Sequence, residues 1–196
     1  AQKIKLSTIA DALGVSTATV SLALRDSPLV ADETRERIKT EARALGYIYN
    51  RRAASLRTSR SGIVGVVVHD IMNPFYAEIL RSIEQELDRS RQTFILSNHY
   101  DQLDKQRNFI DTLLQLGADG VIMSPAIDTP PEDIAMAEDN GLPIVLIARS
   151  IPGVKAPVFR GDDAFGISLA TNHLISLGHK RIAFIGGTDQ TSTGRD

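Results

Sequence analysis

The stretch Leu-Gly-Val-Ser-Thr-Ala-Thr-Val-Ser at residues 13–21 predicts two short helices joined by a tight turn. The apolar residues before the turn repeat at helical spacing, at Leu6, Ile9, Ala10 and Leu13. Gly14 supplies the backbone freedom that a tight turn needs. Ser16 stands where a helix N-cap belongs, so we expect the second helix to begin at Thr17.

The second helix divides into an inward and an outward face. Val20 and Leu24 point inward at helical spacing, and a third stripe follows at Ile38, Ala42 and Leu45. Three short helices of this size form one small core, as in a DNA-reading module. The predicted outward face, which is available to a DNA major groove, consists of Thr17, Ala18, Ser21 and Leu22.

The charge is distributed unevenly along the chain. Residues 1–60 carry 11 Lys and Arg against 6 Asp and Glu, whereas residues 61–196 carry 11 against 18. Between residues 46 and 61 the charged residues are all arginines, at positions 51, 52, 57 and 60. Four arginines alone are equally compatible with a solvated linker. After a helix-turn-helix they favour salt-sensitive contacts with phosphates.

From Ser61 the pattern changes to alternating strands and helices. Apolar runs predict strands at residues 63–68, 93–97, 120–124, 143–148 and 181–186, with helical stripes between them, the last at 165–177. This alternation predicts a doubly wound parallel sheet, whose ligands bind outside the carboxyl ends of the strands. The candidate binding residues at those ends are His69, Asp70, Asn73, Phe75, Tyr76, Ser124 and Arg149.

Several motifs together resemble the lactose-repressor/galactose-repressor (LacI/GalR) family of bacterial transcription regulators. They are Gly14-Val15-Ser16, Thr19-Val20-Ser21, Thr34-Arg35, Ala53-Ala54, Leu56-Arg57, the Asp-Ile-x-Asn-Pro-Phe-Tyr run at 70–76 and the Gly-His-Lys-Arg turn at 178–181. The resemblance implies an all-α helix-turn-helix DNA-binding domain at 1–49 (motif about 6–25) and a hinge helix and linker at 50–60. An α/β periplasmic-binding-protein-like effector domain follows, with its first lobe at 61–150. The resemblance further implies that the second lobe starts at 151–196 and is incomplete, and we expect its remainder beyond residue 196.

This resemblance also implies a homodimer that binds palindromic double-stranded operator DNA. The residues expected at the DNA are Leu6, Ser16, Thr17, Ala18, Thr19, Ser21, Leu22, Thr34, Tyr47, Asn50, Ala53, Leu56 and Arg57. Leu56 would wedge between base steps in the minor groove, although packing against the following domain is the alternative. The family commonly has Arg at the position of Leu22, and leucine cannot make the bidentate contact of arginine with guanine.

A small-molecule effector, a sugar or related metabolite, is implied for the sheet. Asn73, Phe75, Tyr76 and Arg149 would contact it, and Thr193 would face the cleft from the second lobe. Either aromatic ring could instead open its helix and pack on the sheet. Ala148 stands where the family often has an Asp before the Arg, which removes one carboxylate from the expected site.

Other function classes find little support. The four histidines lack metal-ligand spacing, and no phosphate-binding glycine loop follows a strand, so we expect no metal, no cofactor and no enzyme activity. No signal peptide or membrane-length apolar run occurs, so we expect no membrane partner. Cysteine is absent, and the cytoplasm is the expected compartment. The alternatives are a solute-binding protein without a regulatory role and an activator of the same family.

Overall fold

The computed structural model describes residues 4–48 and 60–195. The chain divides into two compact units, Ala1–Arg57 and Thr58–Asp196. The expected hinge contacts of Asn50, Ala53, Leu56 and Arg57 lie outside the described residues.

The N-terminal unit contains three helices around one small core. They are α1 (Leu6–Leu13), α2 (Thr17–Ala23) and α3 (Asp32–Ala44). The core residues are Ile9, Ala10, Val20, Ala23, Val30, Ile38 and Ala42. Five of these seven residues are the ones that the helical spacing predicts, whereas Ala23 and Val30 were not expected, and Leu24 and Leu45 are only half-buried. No single helix of the described residues is long and apolar enough to cross a membrane. Helices α1 and α2 together have sufficient length and apolar composition, but the pair is bent by 104°.

The second unit is built on a parallel sheet of five strands in the order β2-β1-β3-β4-β5. The strands are β1 (Ile63–Val68), β2 (Thr93–Asn98), β3 (Gly120–Met123), β4 (Ile144–Ile147) and β5 (Val158–Phe159). The helices are α4 (Pro74–Arg89), α5 (Leu103–Leu116), α6 (Pro131–Asp139), α7 (Asp163–Ser176) and α8 (Ser192–Arg195). The sheet continues past residue 150, the expected end of the first lobe, because β5 pairs with β4.

The central strand β1 is covered on both faces, as the central strands of parallel sheets usually are. Five of the six β1 residues are buried, which is typical of a central parallel strand. One layer packs Val67 and Met123 against Leu113 of α5, and the other packs Val66 and Val68 against Tyr76 of α4. The sheet therefore separates two apolar layers, and its carboxyl edge stays open to loops.

The expected strand at residues 181–186 is wrong. Helix α7 forms close to its expected bounds, but residues 179–188 belong to no helix or strand and are exposed. A parallel strand needs a neighbouring ladder to satisfy its backbone groups, and no strand pairs with this segment in the described part of the chain. Helix α7 correspondingly has no buried residue, and its apolar side chains Phe165 and Leu169 are exposed. Ile185, in the segment after the helix, is exposed as well.

We predict that Gly65→Ala destabilises the second unit by about 1–3 kcal/mol. A Cβ atom at Gly65 would overlap the Leu113 side chain, which belongs to the buried core. The matched control is Gly166→Ala in α7, where a Cβ atom meets nothing within 4 Å. Urea unfolding would measure both variants, and an unchanged midpoint for Gly65→Ala would contradict the tight packing of β1 on α5.

Candidate DNA-binding surface and effector pocket

The start of α2 is built by two hydroxyl side chains. The Ser16 Oγ atom accepts a hydrogen bond from the Thr19 N–H group at 3.0 Å, and the two side-chain oxygens lie 2.8 Å apart. Ser16 is therefore the N-cap that the sequence predicts, because it satisfies one of the free amides at the helix start. Thr17 and Ala18, the first two residues of the helix, are exposed.

Leu22 is not fully exposed on the outward face as expected. It is half-buried and packs against the core of the N-terminal unit, next to the buried Ala23. The reason is its size, since an isobutyl group beside Ala23 reaches apolar neighbours that a hydroxyl would not. Leu6 and Tyr47 pack partly on the same core, whereas Ser21 and Thr34 are half-buried.

Two cations of α3 hold the turn that follows α2. Arg35 donates to the carbonyl oxygens of Val30 at 2.7 Å and Ser27 at 3.2 Å, and Lys39 forms an ion pair with Asp26 at 2.5 Å. Asp26 has a φ of 57°, a left-handed backbone that favours Gly, Asn and Asp. The charges of Arg35 and Lys39 thus stabilise the position of α2 on α3.

In the second unit, one carboxylate connects the loops that follow four strands. Asp101, after β2, accepts from Arg149 after β4 at 2.5 Å and from the Ile127 amide after β3 at 3.0 Å. Its other oxygen lies 3.0 Å from Nδ1 of His69, which follows β1. Arg149 also donates to the Pro125 carbonyl at 3.1 Å. We call Asp101, Arg149 and His69 the strand-end cluster.

The strand-end cluster fixes the charge of Asp101. Burial of the carboxyl group raises its pKa, but the hydrogen bonds from Arg149 and the Ile127 amide, with the charges of Arg149 and His69, outweigh burial and leave the pKa below its ordinary value of 3.8. The carboxylate is therefore ionised near neutral pH. Tyr100 and Asp101 both have positive φ angles, 50° and 58°, so this loop holds a strained backbone beside the cluster.

His99 lies beneath the cluster and is fully buried. Its Nε2 atom lies 2.8 Å from the Ser124 carbonyl oxygen, and its Nδ1 atom accepts from the Asp101 N–H group at 2.9 Å. These two partners fix the neutral tautomer with the proton on Nε2. Burial lowers the pKa of His99 below its ordinary value of 6.5, although the Ser124 hydrogen bond and the Asp101 charge oppose that shift.

A cavity of about 720 Å³ opens at the same edge of the sheet. Six of the eight residues expected at the effector line it, namely His69, Asn73, Phe75, Tyr76, Arg149 and Thr193. The two aromatic side chains differ in exposure. Phe75 is 53% exposed, whereas Tyr76 is 5% exposed and its hydroxyl lies 2.8 Å from the Ser124 Oγ atom. Phe75 is consequently the ring that a ligand can reach.

The remaining expected residues have local roles. Asn73 caps α4 by accepting from the Phe75 N–H group at 3.0 Å, and the Asp70 carboxylate accepts from the Met72 amide at 2.9 Å. Ser124 is fully buried, and its hydroxyl is hydrogen-bonded to the Tyr76 hydroxyl. Asp70 and Ser124 thus shape the loops around the cavity, and neither lines it.

Three potential metal ligands come together although their spacing in sequence gives no such indication. The ligand atoms of His69, His99 and Asp101 lie within 4.8 Å of one another. Both ring nitrogens of His99 have protein partners, however, and Arg149 donates to the Asp101 carboxylate. The arrangement is that of a hydrogen-bonded ion-pair cluster, in which a guanidinium group occupies the place of a cation.

Sequence reasoning missed His99 and Asp101. Their position in the sequence could have indicated them, because both lie within three residues of the end of β2. The carboxyl ends of all parallel strands meet at one edge of the sheet. Asp101 also supplies the carboxylate that Ala148 lacks: it contacts Arg149 from the loop after β2 rather than from the preceding residue.

Comparisons with known proteins agree with this two-unit architecture. Residues 5–50 match the family model described as bacterial regulatory proteins, lacI family. Residues 61–196 match the model described as periplasmic binding proteins and sugar binding domain of LacI family. The chain belongs to the LacI family.

Among its LacI-family relatives, the maltose regulon regulatory protein MalI of Escherichia coli (strain K12) is 34% identical over 98% of this chain and 56% of its own length. The transcriptional regulator DegA of Bacillus subtilis (strain 168) is 34% identical over 95% of this chain and 56% of its own length. The chain therefore spans about half the length of the curated relatives that it matches.

Solved structures show the same fold. The lac repressor dimer bound to operator and the anti-inducer ONPF superposes with a TM-score of 0.79 at 22% identity, over 99% of this chain and 59% of that one. The complex of the transcriptional regulator CelR with cellobiose superposes with a TM-score of 0.60 at 28% identity, over 98% of this chain and 58% of that one.

The buried imidazole of this LacI-family chain predicts a loss of stability in mild acid. Because the folded-state pKa of His99 lies below 6.5, the unfolded chain binds the proton first, and the free energy of unfolding falls as the pH drops through about 6.5. The contribution of Asp101 has a separate window: it is present above pH 3.8 and is lost as the pH falls towards the lower folded-state pKa.

Urea unfolding at a series of pH values between about 8 and 5 would measure the His99 contribution. We expect His99→Gln to flatten the dependence, whereas His173→Gln, at an exposed position on α7, leaves it unchanged. A pH dependence that is the same in the parent and in His99→Gln would contradict the role of the buried imidazole.

Proposed function

We propose that this protein is a sequence-specific DNA-binding transcription regulator, a repressor, whose DNA affinity is set by a small-molecule effector. The observation that carries this proposal is the combination, in one chain, of a LacI-type helix-turn-helix with a sheet whose strand-end cavity contains Arg149 and an exposed Phe75. The helix-turn-helix unit argues against a solute-binding protein for transport, because transport requires no DNA-binding domain. The proposed place of action is the cytoplasm, where the DNA is.

The N-terminal part of α2 is proposed to read base edges in the major groove. Thr17 and Ala18 are exposed and Ser21 is half-buried, so this surface is small and only weakly polar. Hydroxyl groups contact several bases, and the Ala18 methyl suits thymine methyl groups. Ser16, Thr19, Thr34, Tyr47 and Leu6 are proposed to hold α2 at the DNA, with most of the affinity coming from phosphates.

A homodimer is proposed to place two such helices on a palindromic operator. The proposed role of the hinge rests on the resemblance: Asn50, Ala53, Leu56 and Arg57 would meet the minor groove, and Leu56 would kink the duplex. Folding of the hinge on DNA would then depend on the separation of the two half-sites, which gives the effector a way to control binding.

The effector is proposed to be a sugar or related metabolite bound at the strand-end cavity. Phe75 offers an apolar face for stacking, and Asn73 and Thr193 offer polar groups around it. Arg149 is held in one orientation by Asp101 and the Pro125 carbonyl, so it presents a fixed group of donors. Such preorganisation favours a polar ligand because little side-chain entropy is lost on binding.

Selection of bound sites from a random duplex library tests the DNA-binding half of this proposal. We expect a palindrome with a flexible pyrimidine–purine step at its centre, because the Leu56 wedge needs an easily unstacked step. In the same assay, Leu56→Ala should weaken binding to the selected duplex and reduce bending while sparing random duplexes. Equal losses on all duplexes would contradict the wedge, and salt-sensitive binding with no enriched sequence would contradict sequence-specific reading.

A panel of sugars and nucleosides, screened by thermal shift and confirmed by calorimetry, tests the effector half. For a ligand that binds the parent, Arg149→Ala should weaken binding by about 10-fold or more, since a charge-assisted hydrogen bond contributes about 1.5–3 kcal/mol. Arg81→Ala, on an exposed position of α4, is the matched control. Full ligand affinity in Arg149→Ala would remove Arg149 from the site.

A further inference from the structure

The opposite edge of the sheet carries a second carboxylate arrangement, which no effector contact explains. Asp119 lies immediately before β3, and its Oδ1 atom accepts from the Ser61 N–H group at 2.7 Å and from the Ser61 hydroxyl at 3.1 Å. Its Oδ2 atom accepts from the Gly62 N–H group at 3.0 Å. We call this group the Asp119 clamp.

The clamp fixes a sharp bend at the point where the chain enters the sheet. Gly62 has a φ of 71°, a left-handed conformation that side chains disfavour. The Ser61 hydroxyl also accepts from the Ile63 N–H group at 3.1 Å, and the Asp119 N–H group donates to the Ile63 carbonyl at 2.7 Å. Ser61 and Gly62 are thereby tied to β3 before β1 begins.

Ordinary β-pairing does not require these side-chain bonds. The register of β1 with β3 runs from Val64 to Val67, so this ladder does not include Ser61 and Gly62. On the β2 side the Gly62 carbonyl accepts from the Thr93 N–H group at 2.8 Å, which leaves the Ser61 and Gly62 amides to Asp119. The carboxylate instead satisfies two backbone amides and a hydroxyl that precede the ladder. A carboxylate that accepts several N–H bonds is a strong restraint, because charge-assisted hydrogen bonds are about twice as strong as neutral ones.

The position of the clamp in the chain gives it a consequence for regulation. Ser61 follows the segment that joins the helix-turn-helix unit to the sheet, so a restraint on Ser61 acts where that segment joins the effector unit. The clamp lies at the start of β1 and β3. The loops that follow the same two strands contribute His69 and the Ile127 amide to the strand-end cluster and its contacts.

We infer that Asp119 is a positioning residue for DNA binding: by clamping Ser61 and Gly62 to the start of β3, it gives the chain that enters the effector unit a fixed anchor on the sheet and so supports operator recognition. This inference rests on the proposed function. A loosened clamp would leave both units folded but would give Ser61 and Gly62 more backbone freedom, which costs conformational entropy when the operator is bound.

The test compares Asp119→Asn and Ser61→Ala with the parent protein. An asparagine keeps one acceptor oxygen and turns an NH₂ group towards the other donor, so at least one clamp bond is lost. Ser61→Ala removes the hydroxyl and keeps both amide bonds. Asp139→Asn, on an exposed position at the end of α6, is the control for the change in charge.

Three readouts are needed: the melting temperature, hydrogen exchange at residues 61 and 62, and the Kd values for the selected duplex and for a random duplex of equal length. For Asp119→Asn we expect faster exchange and a specificity ratio at least about fivefold lower, the lower end of typical coupling. Binding to the random duplex should stay unchanged. Ser61→Ala should show a smaller loss in the same direction, and Asp139→Asn none.

A specificity ratio that stays at the parent value while the amides exchange faster would overturn the inference. An equal fall in affinity for both duplexes would overturn it as well, because it would indicate a general loss of structure or charge. If Asp119→Asn melts too low to assay, Ser61→Ala decides by the same two criteria. A parent protein that selects no sequence would instead refute the proposed function.

Discussion

The ion pair between Asp101 and Arg149 is the interaction on which the ligand edge of this protein depends. Four adjacent parallel strands end at this edge, and the loops that follow them would otherwise be joined only through the strands. One ionised carboxylate binds the guanidinium group after β4 and the amide after β3, and it lies 3.0 Å from the imidazole after β1. The loops therefore form one surface, although no two of them are neighbours in sequence.

The buried neighbours of this ion pair make it stable. His99 is neutral, accepts the Asp101 amide and contacts the Ser124 carbonyl, and Tyr76 binds the Ser124 hydroxyl. His99, Ser124 and Tyr76 are therefore hydrogen-bonded to one another or to Asp101, which lowers the cost of burying them. The result is a cavity with a rigid floor, on which Phe75 and the polar rim can meet a ligand.

The fold was largely predictable from the sequence, for reasons visible in particular residues. Ser16, Val20 and Ile38 obey helix rules that act over a few residues, and the apolar run of β1 admits only a buried parallel strand. The strand expected at 181–186 was wrong because a strand depends on a neighbour, which a local pattern does not contain. Leu22 also packs partly on the core, which the outward-face pattern did not indicate because it takes no account of side-chain size.

The candidate site was less predictable, since it is assembled from loops that are distant in sequence. Arg149, Phe75 and Asn73 follow from the rule that ligands bind at strand ends, and six of the eight expected residues line the cavity. Asp101 and His99 required knowledge of which loops face one another, and the Asp119 clamp required the register of β1 on β3. Such contacts span between 25 and 58 residues of the chain.

The central claim is that ligand binding at the sheet and DNA binding at the helix-turn-helix are linked. Titration calorimetry around a closed cycle tests it most directly, with the Kd for the duplex measured with and without ligand and the Kd for the ligand measured with and without duplex. We expect the same factor in both directions, between about 5- and 150-fold, because the coupling of two binding equilibria is reciprocal. A factor of one in both directions, with both partners bound, would contradict it.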